Sequence, residues 1–175
     1  TGLRIVIAVI LAVAVCVAAA DVCLFGGSAP SSALVKIPKN ASGAMLRDSI
    51  SRYLGAGYAA KVSRLVSLRG TDLASRHGAY LIEAGWSPLT AMRRLTGGPQ
   101  HPLTLTINGF RQRPLMQERV AARFDFSTDS LSGVMADASV MDRYGLTPEQ
   151  SMALFFNDSY DFYWNASPAS VVEKV

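Results

Sequence analysis

The longest apolar stretch of the chain lies near its N-terminus, where every side chain from residue 5 to residue 20 is apolar. Asp21 interrupts the pattern once, and residues 22–25 continue it. A helix needs roughly 20 apolar residues to cross about 30 Å of hydrocarbon, and a carboxylate costs far less at the interface than in mid-bilayer. The pattern therefore predicts a transmembrane helix over residues 1–25, with Asp21 near the outer interface.

A cleaved export signal is the alternative for the same segment. Arg4 precedes a short apolar core, and Ala18-Ala19-Ala20 imitates the small-residue cleavage site of such signals. Either interpretation exports the rest of the chain. For an anchor, Arg4 favours a cytoplasmic N-terminus.

The next part of the chain follows a strand, helix, helix, strand pattern behind a Gly- and Ser-rich linker at residues 26–32. Alternating apolar positions predict the strands, and apolar positions at helical spacing predict the helices, the first with Ser42 as its N-cap. The predicted elements cover residues 33–38, 42–54, 59–68 and 78–82. This order is that of a LysM-type unit.

The second half of the chain mixes one strand with several short helices. Ser87 and Pro88 suit a helix start, and Gly97-Gly98 suits its end. Apolar residues alternate in the strand that follows, at Leu103, Leu105 and Ile107. Further helices are predicted over residues 115–124, 127–138 and 141–146, and from residue 147 onward. The exported part is thus predicted to be α+β.

Residues 155–167 concentrate large aromatic rings beside amides and carboxylates, in the order Phe-Phe-Asn-Asp-Ser-Tyr-Asp-Phe-Tyr-Trp-Asn-Ala-Ser. This composition is typical of a groove that stacks on a ligand and binds its polar edges. The alternative is structural: the phenylalanines and the tryptophan pack a last core layer, and residues 157–159 form a polar turn.

The same segment resembles the Pro-Asn-Thr-Tyr-x-x-Tyr-Trp-Asn-Thr-Ser signature of the YceG-like endolytic murein transglycosylase family. Asn157 stands where the family has proline and Asp158 where it has asparagine, and proline would have preset one backbone dihedral. Four further segments resemble motifs of the family in the same order, at residues 78–80, 85–98, 102–107 and 108–111. The resemblance covers residues 34–175.

The resemblance implies a LysM-like domain over residues 33–101 and the truncated start of a transglycosylase catalytic region over residues 102–175. Such enzymes cleave the β-1,4 bond between N-acetylmuramic acid and N-acetylglucosamine without water and form a 1,6-anhydro product. One carboxylic acid with a raised pKa suffices for both proton transfers. In the family this glutamate follows the aromatic signature in a later domain, so we expect it beyond Val175 and expect no catalytic residue in this chain.

Within this chain, five residues of the signature are the predicted wall of a glycan groove: Tyr160, Asp161, Tyr163, Trp164 and Asn165. Tyr163 or Trp164 would stack on a sugar face, and Asn165 would bond an N-acetyl group. The alternative is that these residues pack two domains together.

The four glutamates are not predicted to be catalytic. Val171-Val172-Glu173-Lys174 imitates the catalytic helix of the family, but it comes too soon after the signature. Glu83, Glu118 and Glu149 are predicted to be solvated or to cap helices.

Composition narrows the function classes further. The net charge of +4 and the pI of about 9.3 suit anionic partners, but the basic residues are scattered without interleaved aromatic side chains, which argues against nucleic acid. Cys16 and Cys23 both lie in the apolar segment, and His77 and His101 lack clustered carboxylates, so we expect no disulfide, metal or cofactor. No Gly-x-Ser-x-Gly or phosphate-binding loop occurs.

The sequence-based hypothesis is therefore a membrane-anchored endolytic murein transglycosylase fragment, a lyase that cleaves nascent glycan strands when complete. The expected location is the bacterial inner membrane, single-pass, with the bulk of the chain on the periplasmic side. The expected partners are peptidoglycan glycan strands, the membrane through the N-terminal helix, and cell-wall synthases. The alternative is a non-catalytic envelope module that binds peptidoglycan or a cell-wall-synthesis partner.

Overall fold

A computed structural model describes residues 6, 7, 9–16 and 25–175. The chain forms two compact units, an N-terminal unit (Thr1–Pro99) and a C-terminal unit (Gln100–Val175). Each unit combines helices with one two-stranded antiparallel sheet, and each has a hydrophobic core of its own. The fold class is therefore α+β.

The predicted transmembrane helix over residues 1–25 needs correction. Residues 6, 7, 9–16 and 25 are helical, but none of the helices among the described residues combines the length and the apolar character that crossing a bilayer requires. The single-pass anchor, and with it the location in the inner membrane, is not supported. Residues 1–5, 8 and 17–24, which include the Ala18-Ala19-Ala20 site, lie outside the described residues.

The N-terminal unit follows the order strand, helix, helix, strand, helix. Its elements are β1 (Ala33–Ile37), α1 (Gly43–Leu54), α2 (Ala56–Arg69), a 3-10 turn (Ala74–Arg76), β2 (Gly78–Ile82) and α3 (Pro88–Gly97). The strands pair antiparallel, with Ala33 opposite Ile82 and Ile37 opposite Gly78. Ser42 and Ser87 cap α1 and α3, since their hydroxyls accept the N–H bonds of Met45 and Thr90.

The boundary between α1 and α2 differs from the prediction because Gly55 alone separates the helices. Its φ of 84° lies in the left-handed region, where a side chain would be strained, and this permits the sharp change of direction. The predicted helices, over residues 42–54 and 59–68, leave Gly57 between them, but Gly57 lies in the first turn of α2. Gly70, with a φ of 65°, ends α2.

The core of the N-terminal unit lies between the sheet and the helices. One face of β1 is buried at Ala33, Val35 and Ile37, and α1 meets it with Ile50, which has no exposed surface. The hydroxyl of Tyr58 on α2 donates to the carbonyl of Trp86 at 3.0 Å, and burial raises the pKa of Tyr58 to about 12. Tyr58 thus ties α2 to the loop that leads from β2 to α3.

The C-terminal unit surrounds a second small sheet with short helices. Its elements are β3 (Leu103–Thr106), α4 (Arg113–Ala121), α5 (Thr128–Ala136), α6 (Ala138–Met141), two 3-10 segments (Asp142–Tyr144 and Pro148–Leu154), β4 (Ser159–Phe162) and α7 (Pro168–Lys174). Four fully buried side chains form the centre of its core, namely those of Met116, Leu131, Met135 and Met141. The segment predicted as a helix from Thr147 is a 3-10 helix.

The sheet of the C-terminal unit has one apolar face and one polar face. Its strands pair antiparallel with Leu103 opposite Phe162. On the polar face, the hydroxyl of Thr104 donates to the Asp161 carboxylate at 2.7 Å, and the hydroxyls of Thr106 and Ser159 lie 3.0 Å apart. These cross-strand bonds hold β4, and the aromatic segment that contains it, in register.

Candidate functional site

Asn157 and Asp158, which replace the first two residues of the murein transglycosylase signature, position the start of β4. The Asn157 side-chain oxygen accepts the Gly109 N–H at 2.5 Å, and the Asp158 carbonyl accepts the Ile107 N–H at 2.9 Å. Both bonds tie the chain before β4 to the end of β3. Asn157 therefore holds this turn by a side-chain hydrogen bond, where proline would have restricted a backbone dihedral.

The end of β4 turns directly into α7. The Tyr163 carbonyl accepts the Ala166 N–H at 3.0 Å, which closes a tight turn. Ser167 then caps α7, because its hydroxyl accepts the Ser170 N–H at 3.2 Å. This geometry brings the last strand residues, the turn and one face of α7 around a common space.

That space is a pocket of about 410 Å³, which we call the β4 pocket. Its principal lining residues are Asp161, Phe162, Tyr163, Asn165, Ser170 and Lys174. The volume falls within the range of roughly 300–1,000 Å³ that is usual for small-molecule sites. The pocket joins one aromatic face to several hydrogen-bonding groups.

Tyr163 is the exposed aromatic side chain of the pocket, with 54% of its surface accessible. Asn165 is half-buried and Asp161 is exposed, and both residues line the pocket together with the Tyr163 ring. The Thr104 hydroxyl fixes one oxygen of Asp161, which leaves the carboxylate further lone pairs for a ligand.

Lys174 closes the pocket from the side of α7. Its Nζ donates to the Asp161 carbonyl and lies 4.9 Å from the centre of the Phe162 ring. A cation over an aromatic face is attracted by the ring quadrupole, so the ammonium is held at the pocket by two interactions. The pocket therefore presents a positive group that is held at the Asp161 carbonyl and over the Phe162 ring.

The remaining two predicted residues lie outside the pocket lining. The Tyr160 ring packs on the core of the C-terminal unit, and its hydroxyl donates to the Val175 carbonyl at 3.3 Å. Trp164 is only 6% exposed, and its carbonyl accepts the Asp125 N–H at 3.1 Å. Asp161, Tyr163 and Asn165 are thus brought together, whereas Tyr160 and Trp164 contribute their rings to buried surroundings.

Five lining residues were not predicted as site residues: Phe162 and Ala166 within the aromatic segment, and Pro102, Ser170 and Lys174 outside it. Ser170 and Lys174 are four residues apart and therefore share a face of α7, a spacing that the sequence does display. Pro102 reaches the pocket because the next residue, Leu103, pairs with Phe162. That register depends on a pairing between distant segments, which local patterns do not reveal.

The glutamates of the chain lie in solvent-exposed surroundings. All four are exposed, including Glu173 on α7. The Thr147 hydroxyl, by hydrogen bonding, lowers the pKa of Glu149 below its ordinary value. A general acid of a glycosidic cleavage needs a raised pKa, which burial in an apolar pocket provides. None of the four glutamates has such an environment.

The described part of the chain does not bring together the side chains that bind metals. Within residues 6, 7, 9–16 and 25–175, no group of three or more His, Cys, Asp or Glu side chains has the arrangement of a metal site.

Comparison of the chain with protein-family models, curated proteins and solved structures gave no match. The chemistry of the β4 pocket is therefore the basis for a functional assignment.

Proposed function

We propose that this chain is part of an endolytic murein transglycosylase and that the β4 pocket binds a sugar of a peptidoglycan glycan strand. The observation that carries the proposal is the exposed Tyr163 ring beside Asn165 and Asp161 around one pocket. The order of the sequence motifs supports the same family, since the pocket is built from the segment that resembles the family signature.

The pocket chemistry suits an N-acetylated sugar. A pyranose presents an apolar face of C–H groups, which stacks on an aromatic ring such as Tyr163. The Asn165 amide can both donate to and accept from an N-acetyl group, and the Asp161 carboxylate accepts hydrogen bonds from hydroxyls. Aromatic stacking supplies apolar contact area, and the polar groups select the orientation of the sugar.

The role proposed for these residues is binding and orientation of the glycan. Proton transfer to the leaving oxygen requires a carboxylic acid that stays protonated near neutral pH. The four glutamates are exposed rather than enclosed in an apolar pocket, and the Asp161 carboxylate, also exposed, accepts a hydrogen bond from Thr104. The residues of the pocket would hold the strand in place while the reaction proceeds.

A non-catalytic peptidoglycan-binding module is the second candidate, since the sugar-binding groups of the β4 pocket suit either function. Product analysis separates the two candidates. The full-length protein encoded by the gene is expected to release muropeptides with 1,6-anhydro ends from purified peptidoglycan if it is a transglycosylase. Binding without such products would assign the chain to the module.

Replacing Tyr163 with alanine is expected to weaken binding to peptide-free glycan strands at least about tenfold, a loss of about 1.4 kcal/mol. The reason is the loss of the stacking surface, while the exposed position of the ring leaves the fold intact. Isothermal titration calorimetry with amidase-treated peptidoglycan strands measures the change.

The matched control is Tyr144→Ala. Tyr144 is also exposed, at 38%, and belongs to the same unit, but it does not line the β4 pocket. This variant should bind as the wild type does. Equal affinity of the wild type and Tyr163→Ala would reject the pocket as the sugar site.

A further inference from the structure

The N-terminal unit carries a groove along β1 that plays no part in the function proposed above. Two adjoining pockets, of about 520 and 320 Å³, share Lys36, Ser49 and Arg52 as lining residues. They therefore form one continuous depression between β1 and α1, which we call the edge groove. It extends from Ser32 at one end to Pro38 at the other.

The edge groove opens at the edge of β1 that faces away from β2, where no strand among residues 25–175 pairs with it. Ala33 and Leu34 both line it, although successive residues of a strand point to opposite faces of the sheet. A space lined by both faces must lie beside the strand, and the other side of β1 is occupied by β2. An unpaired strand edge presents backbone N–H and C=O groups that can pair with another chain.

The side chains of the groove give it a positively charged centre and two apolar ends. Lys36 and Arg52 are exposed cations at its centre, and Asp48 is the one carboxylate that lines it. Met45 and Tyr53, at 48% and 56% exposure, present apolar surface from α1. The surrounding unit is strongly basic, since residues 25–99 carry ten Lys and Arg against three Asp and Glu.

We propose that the edge groove binds an extended acidic segment of a partner protein, which adds to β1 as a third strand. The edge of β1 away from β2 supplies donors and acceptors at the spacing of a polypeptide backbone, so backbone pairing gives the affinity. Lys36 and Arg52 select an acidic side chain at the centre, and Met45 and Tyr53 accept apolar side chains near the ends. β1 has five residues, so it pairs with a segment of about five residues, roughly 17 Å long.

The segment can be identified by selecting random linear peptides on the intact 175-residue chain. We expect the selected peptides to carry a central acidic residue with apolar residues at alternating positions, and to exclude proline from the centre. In a fluorescence-anisotropy titration of the best peptide, Arg52→Glu should weaken binding about tenfold or more, because it replaces attraction by repulsion. Arg64→Glu is the matched control, since Arg64 is exposed on α2 and does not line the groove.

Methylation of the peptide backbone tests strand addition itself. Two versions of the peptide are compared, one methylated on the odd-numbered backbone nitrogens and the other on the even-numbered ones. Because only every second N–H faces β1, one version should lose binding and the other should keep it. Any of three results would overturn the proposal: equal binding of both methylated peptides, an equal loss of affinity in Arg52→Glu and Arg64→Glu, or a selection that yields no acidic peptides. Displacement of the peptide by peptide-free glycan strands would also overturn the proposal, and it would assign the groove to sugars. The β4 pocket is not involved in these outcomes.

Discussion

Replacing Phe162 with alanine is expected to lower the free energy of unfolding of the C-terminal unit by about 3–5 kcal/mol. Phe162 is 6% exposed, and its ring meets the Phe124 ring edge-on at a centroid distance of 5.5 Å. Phe124 in turn stacks on Phe126 at 5.1 Å. Removing Phe162 therefore leaves a cavity and breaks an aromatic cluster, and the surrounding side chains recover only part of the loss.

Tyr163→Ala is the matched control, because it changes the next residue but removes an exposed ring. It should alter the free energy of unfolding by less than about 1 kcal/mol. Urea unfolding followed by fluorescence measures both effects in a Trp86→Phe background, where Trp164 is the remaining tryptophan and reports on the C-terminal unit. A comparable destabilisation by the two substitutions would show that Tyr163 is also a core residue.

Replacing Ile50 with alanine is expected to destabilise the N-terminal unit by about 2–5 kcal/mol. Ile50 is fully buried on α1, within the cluster that joins this helix to the sheet. The β-branched side chain fills space that alanine leaves empty, and the close packing of neighbouring side chains restricts the collapse of the cavity.

The control for this prediction is Met45→Ala on the same helix. Met45 is 48% exposed and lines the edge groove, so its removal should change the stability by about 0.5 kcal/mol or less. In a Trp164→Phe background, the fluorescence of Trp86 reports on the N-terminal unit. Similar midpoints for the two variants would contradict the assignment of Ile50 to the core.

The helix caps and strand patterns of the N-terminal unit could be predicted because local chemistry determines them. Ser42 and Ser87 provide oxygens at helix starts, and alternation along β1 separates its buried face from its exposed face. The start of α2 could not be predicted in the same way. Glycine is tolerated in a first helical turn, so Gly57 alone does not show whether the helix has already begun.

The C-terminal unit shows two limits of local patterns. The capping box of Thr147 and Gln150 suits both an α-helix and a 3-10 helix, and the segment adopts the second. β4 has only four residues and pairs with β3, more than 50 residues away in the chain. Its existence depends on that distant pairing, so the aromatic stretch alone did not reveal a strand.

Only part of the candidate site could be predicted, because its geometry also depends on more than local patterns. Strand alternation turns Tyr160 and Phe162 inward and Asp161 outward, but alternation ends where β4 ends. The turn that follows exposes Tyr163 and buries Trp164. Composition identified the segment, whereas the choice between two adjacent aromatic residues depended on the turn geometry.

The apolar N-terminal stretch shows a different limit. Counting apolar residues predicts a transmembrane helix, but a span also requires one continuous helix of sufficient length. Among residues 6, 7, 9–16 and 25–175, no helix meets that requirement.

The most direct test of glycan binding at the β4 pocket is an NMR titration of the ¹⁵N-labelled chain with a peptide-free tetrasaccharide of alternating N-acetylglucosamine and N-acetylmuramic acid. Binding as proposed predicts saturable shifts at the backbone amides of Tyr163 and Ser170 and at the side-chain amide of Asn165, with no change around Tyr144. Shifts that avoid this pocket, or an unchanged spectrum at excess sugar, would contradict it.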